Sequence, residues 1–344
     1  MQKWVLKAFT QRCIGMMPAR HRINRFFQER VTRSIQLTRE DFENHLRRDA
    51  IHLDTYESLA GKPLGGTVLE IGTGWHPILP IAFYLCGSGP LTTVDIAANL
   101  TASHTQETID AFLTAAHDGR LATLLPALRA DRLAQFRTAA AEPWTTPAEF
   151  LAKNGITPLV SAAPYPTLKD HSTQFIVSNV ALEYLSREEL AILFAEFARV
   201  LSPAGVMSHD SCLMDQYHAF DASISRLNFL RFSDRVWKVI SNPLIPMSRL
   251  RSPEFIEAFQ RAGFEVELTN PTRVSEEELQ SVPLNERFRR FSSEDLRILR
   301  GCYVSRGRRV AKDPPRHPGV LCWALSWLHE LCLSADTALV AIAC

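Results

Sequence analysis

The sequence has little net charge, no C-x-x-C motif and no uncharged apolar run long enough to cross a membrane. Its 344 residues include 38 Lys and Arg against 37 Asp and Glu, a formal net charge of +1. A dedicated nucleic-acid binder normally carries a clear positive excess, so this balance disfavours that class. The 46% of hydrophobic and 22% of charged residues are typical of a globular chain and exclude a collagen-like or disordered protein.

The seven cysteines are scattered along the chain, and none forms a C-x-x-C pair. Neither a zinc ribbon nor a dithiol redox site is indicated, and we expect a reduced, cytoplasmic environment. Basic residues interrupt the apolar residues after Met1, so no secretory signal is predicted. The most apolar stretch, 320–344, contains two acidic residues and does not supply the roughly 20 apolar residues of a membrane-spanning helix.

Residues 1–60 are predicted to form a helical N-terminal extension. Val5, Phe9, Cys13 and Met16 recur at helical spacing with basic residues between them, and a second helix is expected over 24–34. A basic amphipathic helix can lie on a membrane surface, and it can equally pack as a lid on its own domain. The sequence leaves both interpretations open.

From residue 67 onward, strands alternate with helices. This order predicts an α/β fold with a doubly wound, mostly parallel sheet. Helices are expected over 77–86, 101–141, 187–201 and 253–262, the third beginning at a capping box of Ser186 and Glu189. Strands are expected over 67–71, 91–95, 157–161, 174–178, 206–209, 264–268 and 337–343. Segments 210–252 and 270–336 do not fit the alternation, so we predict insertions there in a single domain over 61–344.

A glycine-rich turn after the first strand is the strongest functional signal. Gly72 and Gly74 permit a tight turn and a close approach of backbone N–H groups to a ligand, and the next helix begins just after them. Glu70 lies on the strand before the turn, where its carboxylate could neutralise a ligand ammonium group. Asp95 ends the second strand, where a carboxylate can accept hydrogen bonds from both hydroxyls of a ribose.

At these residues the chain resembles the class I S-adenosylmethionine-dependent methyltransferases. Glu70, Gly72 and Gly74 match the family's acidic residue and its first two glycines, and His76 stands at the third glycine. Asp95 matches the acidic residue that holds the cofactor ribose. Residues 178–185 resemble the segment that faces the sulfonium, with Tyr184 where His is common, and residues 199–205 resemble the turn before the fifth strand.

The resemblance covers roughly residues 66–210 and implies a seven-stranded, Rossmann-like sheet that binds S-adenosylmethionine. Residues 221–251 resemble a poorly characterised bacterial subgroup, which names no substrate. The implied reaction is methyl transfer to an oxygen or nitrogen atom of a small-molecule acceptor. The cofactor contacts implied by the matching positions are Glu70, Gly72, Thr73, Gly74, Trp75, Asp95, Ile96, Asn179 and Val180.

Candidates for a catalytic base follow the fifth strand, where ligands of open α/β sheets gather. They are His209, Asp210, Asp215 and His218. Asp215, His218 and Asp221 would line one helix face if this segment were helical. These residues could equally form a solvated polar face and turns without a catalytic role. A divalent-metal site formed by the four candidates is a further alternative, although we predict no metal.

The charge distribution bears on the acceptor. Residues 50–225 hold nine Lys and Arg against 18 Asp and Glu, so the flanking segments are basic. Those segments are expected to cover the acceptor, which predicts a neutral or anionic molecule. Arg and Lys residues over 226–251 could bind a carboxylate or phosphate, or could form a surface set above Phe229 and Trp237.

Other function classes remain open at this point. A nicotinamide-dependent oxidoreductase also uses a glycine turn and an acidic residue after the second strand, but His76 replaces the third glycine and Glu70 would lie near a pyrophosphate. A non-catalytic or aminopropyl-transferring protein of the same fold is the other alternative. The sequence makes no prediction about the oligomeric state.

Overall fold

A seven-stranded sheet forms the centre of the described part of the chain. A computed structural model describes residues 3–17, 35–242 and 247–307. The strand order is β3-β2-β1-β4-β5-β7-β6; the first five strands run parallel, and β7 is antiparallel to both β5 and β6. The strands are β1 (Val68–Ile71), β2 (Leu91–Asp95), β3 (Ile156–Val160), β4 (Thr173–Asn179), β5 (Leu201–Cys212), β6 (Val266–Arg273) and β7 (Ile298–Arg306). The predicted mostly parallel, seven-stranded α/β sheet is confirmed.

Twelve α-helices lie in the described residues. They are α1 (Lys3–Gly15), α2 (Arg39–Ala60), α3 (Ile78–Leu85), α4 (Ala102–His117), α5 (Arg120–Leu124), α6 (Ala130–Ala141), α7 (Pro147–Lys153), α8 (Arg187–Val200), α9 (Asp234–Ile240), α10 (Ser252–Arg261), α11 (Glu276–Gln280) and α12 (Ser293–Arg297). Within the described ranges, none of these helices has the length and apolar character that a membrane crossing requires.

Alternate residues of the central strands enter two hydrophobic clusters, because successive side chains of a strand point to opposite faces. Val68 and Val177 belong to one cluster, together with apolar residues of α2 to α7. Leu69 and Ile176 belong to the other, together with apolar residues of α8 and α10. Helices therefore pack against both faces of the sheet.

A third cluster joins α1 to the segment after β5. Trp4 and Ala8 of α1 are buried in it with Tyr217, Phe229 and Trp237. One side of α1 therefore packs against the described part of the chain. The helix expected over 24–34 lies outside the described residues.

The predicted elements agree with the structure where their signals are local. The strands over 91–95 and 174–178 are present, and the Ser186–Glu189 capping box begins α8 as expected. The sequence analysis missed β7, which lies inside the segment 270–336 assigned to an insertion. The strand predicted at 337–343 lies outside the described residues.

Candidate functional site

The carboxyl ends of β1 and β4 define the place where ligands of such sheets bind. β1 pairs with β2 on one side and with β4 on the other, so the strand order reverses between β1 and β4. The connections leave these two strands in opposite directions and open a crevice between them. The turn containing Gly72 and the segment after Asn179 both begin at this crevice.

Both glycines of the turn adopt left-handed backbone conformations. Gly72 has a φ of +88° and Gly74 a φ of +69°, values that side-chain-bearing residues rarely adopt. A Cβ atom on Gly72 would lie 2.8 Å from Cβ of Ala181, closer than carbon atoms approach, whereas one on Gly74 would meet open space. The turn thus requires glycine at 72 for both backbone conformation and space, and its backbone is open to a ligand at Gly74.

Asp95 is hydrogen-bonded to the same turn. Its Oδ2 accepts a hydrogen bond of 2.9 Å from the backbone N–H of Gly74, and its Oδ1 accepts one of 3.0 Å from Ala97. These contacts orient a half-buried carboxylate at the end of β2. A carboxylate has more acceptor positions than these donors use, so it can also accept bonds from a diol.

Glu70 lies beneath the turn and is 3% exposed. Its Oε2 accepts a hydrogen bond from Thr93 Oγ1, and the Thr93 hydroxyl is also hydrogen-bonded to that of Thr73. Burial raises the pKa of the Glu70 carboxyl to about 8. A cation brought close to this carboxyl would favour its ionised form.

His76, which replaces the third glycine, connects the turn to its surroundings. Its Nε2 lies 2.8 Å from the Ile35 carbonyl oxygen, and its Nδ1 lies 3.2 Å from the His104 carbonyl oxygen. The Trp75 ring meets the His104 ring edge-on at 5.6 Å between centroids. Ile96, next to Asp95, leaves 77% of its surface exposed.

At the end of β4, the Asn179 side chain is hydrogen-bonded to residues of α2. His52 Nε2 donates to Asn179 Oδ1 at 2.9 Å, and Asn179 Nδ2 donates to Asp49 Oδ1 at 2.8 Å. With Nε2 protonated, Nδ1 of His52 accepts from the Ser208 hydroxyl at 2.7 Å. The next residue, Val180, has a φ of +53°, and its N–H donates to the Asp210 carbonyl oxygen at 2.8 Å.

The sequence analysis missed the polar residues of α2. Asp49 and His52 are fully buried, and burial raises the pKa of Asp49 to about 7. The sequence contains a signal for Asp49, because this residue lies in the same buried stripe of the helix as Phe42, Leu46, Leu53 and Tyr56. A carboxylate within an apolar stripe needs a partner, and here the partner is Asn179.

A second polar group lies at the ends of β5 and β7. Arg300 Nε donates to Asp210 Oδ1 at 2.8 Å and to Oδ2 at 3.0 Å. Burial, together with the nearby Arg300 guanidinium, lowers the pKa of Arg48 on α2. Burial and Arg48 lower the pKa of His45 to about 4, so its imidazole is neutral at pH 7. His45, Arg48 and Arg300 were not predicted as site residues.

The four predicted base candidates do not come together. Asp210 lies at the sheet edge beside Asn179, its partner in strand register. His209 is fully buried, stacks on Phe197 at 5.3 Å between centroids, and has its pKa lowered to about 3 by burial. This burial does not favour proton exchange with an acceptor.

Asp215 and His218 lie in turns. Asp215 accepts a hydrogen bond of 2.8 Å from the backbone N–H of Tyr217, and His218 Nδ1 lies 2.7 Å from the Ile224 carbonyl oxygen. The segment is not helical, so Asp215, His218 and Asp221 do not line one helix face, and such side-chain-to-backbone bonds take the place of helical ones. In the described ranges no group of three or more His, Cys, Asp or Glu could hold a metal ion.

Three of the Arg residues over 226–251, Arg226, Arg249 and Arg251, are not part of a cationic lining. Arg226 pairs with Glu278, and Arg249 and Arg251 are 1% and 0% exposed. Arg249 donates to the carbonyl oxygens of Phe229 and Phe232 at 3.0 and 2.6 Å. These guanidinium groups cross-link backbone segments, which is a structural role.

Glu183 is a buried carboxyl close to the ends of β4 and β5. It is 1% exposed; its Oε1 accepts a hydrogen bond of 3.1 Å from the Cys212 N–H, and its Oε2 lacks a hydrogen-bond partner in the described part of the chain. Burial raises its pKa from 4.5 to about 8. The carboxyl is therefore mainly protonated at pH 7.

We expect Glu183 to reduce the stability of the protein as the pH rises. In the unfolded chain this carboxyl ionises near its ordinary value, so between pH 4.5 and 8 the unfolded state binds fewer protons and the free energy of unfolding falls with pH. Glu183→Gln keeps the acceptor for the Cys212 N–H. Its free energy of unfolding should exceed that of wild type by roughly 2–4 kcal/mol at pH 8, with little difference near pH 4.5.

Urea unfolding of both proteins at both pH values measures this difference, and Glu188→Gln, at an exposed position, is the control. Equal pH profiles of wild type and Glu183→Gln would contradict it.

Comparison with known proteins finds matches among solved structures alone. A scan of protein-family models and a search of curated proteins return no match. A geranyl diphosphate methyltransferase in complex with SAM has 10% identity and a TM-score of 0.41, covering 76% of this chain and 84% of that one. Phosphoethanolamine N-methyltransferase 2 of Haemonchus contortus, in complex with S-adenosyl-L-methionine, has 12% identity and a TM-score of 0.42, covering 82% and 59%.

A SAM-dependent methyltransferase from Methanosarcina mazei has 13% identity and a TM-score of 0.39, covering 72% of this chain and 94% of that one. The chain is similar to these three solved structures.

Proposed function

We propose that the chain is a class I S-adenosylmethionine-dependent methyltransferase that acts on an oxygen or nitrogen atom of a small, neutral or anionic acceptor. The observation that carries this proposal is the hydrogen bond between Asp95 and Gly74 at the crevice where the strand order reverses. It places a carboxylate that can bind a ribose beside a glycine turn that can receive the rest of the cofactor. The doubly wound arrangement is part of the proposal and is supported by hydrophobic clusters on both sheet faces.

The residues around the turn fit this cofactor. The open space next to Gly74 admits backbone contact, and the buried Glu70 carboxyl would gain from an adjacent ammonium group. Asp95 would hold the ribose, and the exposed Ile96 offers an apolar surface to the adenine. Thr73 and Trp75 complete the turn, and Asn179 and Val180 would face the sulfonium.

When bound, S-adenosylmethionine supplies a methyl group already activated by its sulfonium. The chain must then hold the acceptor in line with that methyl group, exclude water and take up a proton. We place the acceptor beyond β4 and β5, between α2 and Arg300. Of the four predicted bases, Asp210 is the one at this edge, and α2 adds the neutral imidazole of His45.

Binding measurements test the proposal directly. We expect isothermal calorimetry to show binding of S-adenosylmethionine and S-adenosylhomocysteine and no binding of NAD. The fluorescence of Trp75, in the glycine turn, should change with the first two ligands. Tight NAD binding without heat from S-adenosylmethionine would favour the oxidoreductase alternative, and cofactor binding without methyl transfer to any acceptor would favour a non-catalytic or aminopropyl-transferring protein. The proposal includes a cytoplasmic location, supported by the free state of the four cysteines in the described ranges.

A further inference from the structure

Exposed apolar side chains are concentrated in one region of the molecule. Eight of the twelve large hydrophobic residues exposed in the described ranges belong to α1 and the turn after it, to Phe220 and to α9. Phe9 is 67% exposed, Val239 62% and Leu6 52%. Isolated exposed apolar residues are ordinary on a protein surface, whereas a concentration of them marks a site of interaction.

The three segments form one continuous surface, which we call the apolar face. The backbone N–H of Trp4 donates to Asp221 Oδ2 at 3.1 Å, and Arg12 Nη1 donates to the Lys238 carbonyl oxygen at 3.4 Å. The Lys7 ammonium lies over the Phe220 ring, 4.6 Å from its centroid. The apolar face thus consists of α1 with Met16 and Met17 after it, residues 217–221 and α9.

The outward side of α1 and of the turn after it carries several apolar side chains. Trp4, Ala8 and Ile14 are buried, while Leu6, Phe9 and Met16 are exposed. A surface helix of a globular protein normally shows a polar outer side. The exposed side of α1 therefore indicates an apolar partner.

The charges on the apolar face select the partner. Lys3, Lys7 and Arg12 are the charged residues of α1, and α9 and its flank add Arg231, Arg235 and Lys238. The two acidic groups nearby are engaged, Asp221 with the Trp4 N–H and Asp234 with Arg249 and Arg287. A second copy of the chain would bring two basic surfaces together, and a nucleic acid would leave the aliphatic side chains without an apolar phase. A bilayer with anionic head groups satisfies both the charge and the apolar side chains.

We propose that the apolar face docks the protein peripherally on anionic lipid bilayers. Leu6, Phe9 and Met16 enter the boundary between head groups and acyl chains, and the surrounding Lys and Arg side chains meet lipid phosphates. This docking goes beyond the proposed methyl transfer and is independent of it, because none of these residues takes part in the cofactor site.

Flotation with lipid vesicles tests the docking without cofactor or acceptor. The full-length chain should float with vesicles of phosphatidylcholine and phosphatidylglycerol at three to one, and partition at least about 10-fold less into pure phosphatidylcholine. The double variant Leu6→Ser/Phe9→Ser should lose about 10-fold or more of its partitioning, since it removes two inserting side chains. Phe9→Trp should retain binding.

A matched control is Ile192→Ser, which removes a 50% exposed apolar side chain from α8 and should leave partitioning unchanged. Because Leu6 and Phe9 are exposed, the double variant should keep the melting temperature of wild type. Equal binding to both vesicle types, no binding to either, or retained binding by the double variant would overturn the proposal. A dimer that the double variant dissociates, without vesicle binding, would assign the apolar face to self-association.

Discussion

Replacing Asp95 by alanine is expected to weaken the binding of S-adenosylmethionine by about 100-fold or more. The carboxylate would lose charge-assisted hydrogen bonds to the ribose, each worth roughly 1.5–3 kcal/mol, and the turn would lose the acceptor of the Gly74 N–H. Calorimetric titration of both proteins measures the change. Asp95→Asn keeps one acceptor oxygen, so its affinity for the cofactor should fall between those of wild type and Asp95→Ala.

The control for this prediction is Asp54→Ala, which removes an exposed carboxylate from α2. It should bind the cofactor as wild type does. Circular dichroism separates lost affinity from lost structure, because Asp95 lies at the end of a strand rather than in the hydrophobic clusters. An unchanged affinity in a folded Asp95→Ala variant would refute the ribose assignment.

Replacing Arg251 by methionine is expected to have the largest effect on stability. Its guanidinium is 0% exposed and donates to the carbonyl oxygens of Leu213 at 2.6 Å, Leu296 at 2.9 Å and Ile298. Methionine has a comparable length but no donor, so these carbonyl oxygens would remain buried and unpaired. We expect a loss of roughly 3–5 kcal/mol and a melting temperature lower by about 10 °C.

Arg261→Met is the matched control. Arg261 is the last residue of α10, and Arg251 directly precedes the first residue of that helix. Arg261 has a side chain 76% exposed that pairs with Glu257 one turn away, an arrangement worth less than about 1 kcal/mol. Chemical unfolding of both variants gives the comparison. Similar small losses in the two would show that the carbonyl contacts of Arg251 contribute little.

The parts of the fold that the sequence predicted depend on neighbouring residues. The strand at 91–95 follows from a short apolar run, and the start of α8 follows from Ser186 and Glu189 three residues apart. The glycine turn belongs to the same group, because φ values of +88° and +69° are a property of the backbone at Gly72 and Gly74 themselves. Local chemistry suffices to predict such features.

β7 shows where this local reasoning ends. Its sequence, with Arg300 and Gly301 in the middle, lacks a clear strand pattern, and the strand exists because β5 and β6 pair with it on either side. Strand formation depends on such partners more than on intrinsic preference. The turn after Asp215 likewise depends on hydrogen bonds that the spacing of acidic residues does not reveal.

The sequence by itself determined the α/β class, the glycine turn and the identity of Glu70 and Asp95 as its acidic neighbours. The tertiary structure alone brought Asp49 and His52 to Asn179, and Arg300 to Asp210, across separations of 130, 127 and 90 residues. It also decided that His209 is buried while Phe9 is exposed. The physical reason is that backbone conformation and periodicity are local, whereas burial, charge pairing and the pKa of a side chain arise only when distant segments pack together.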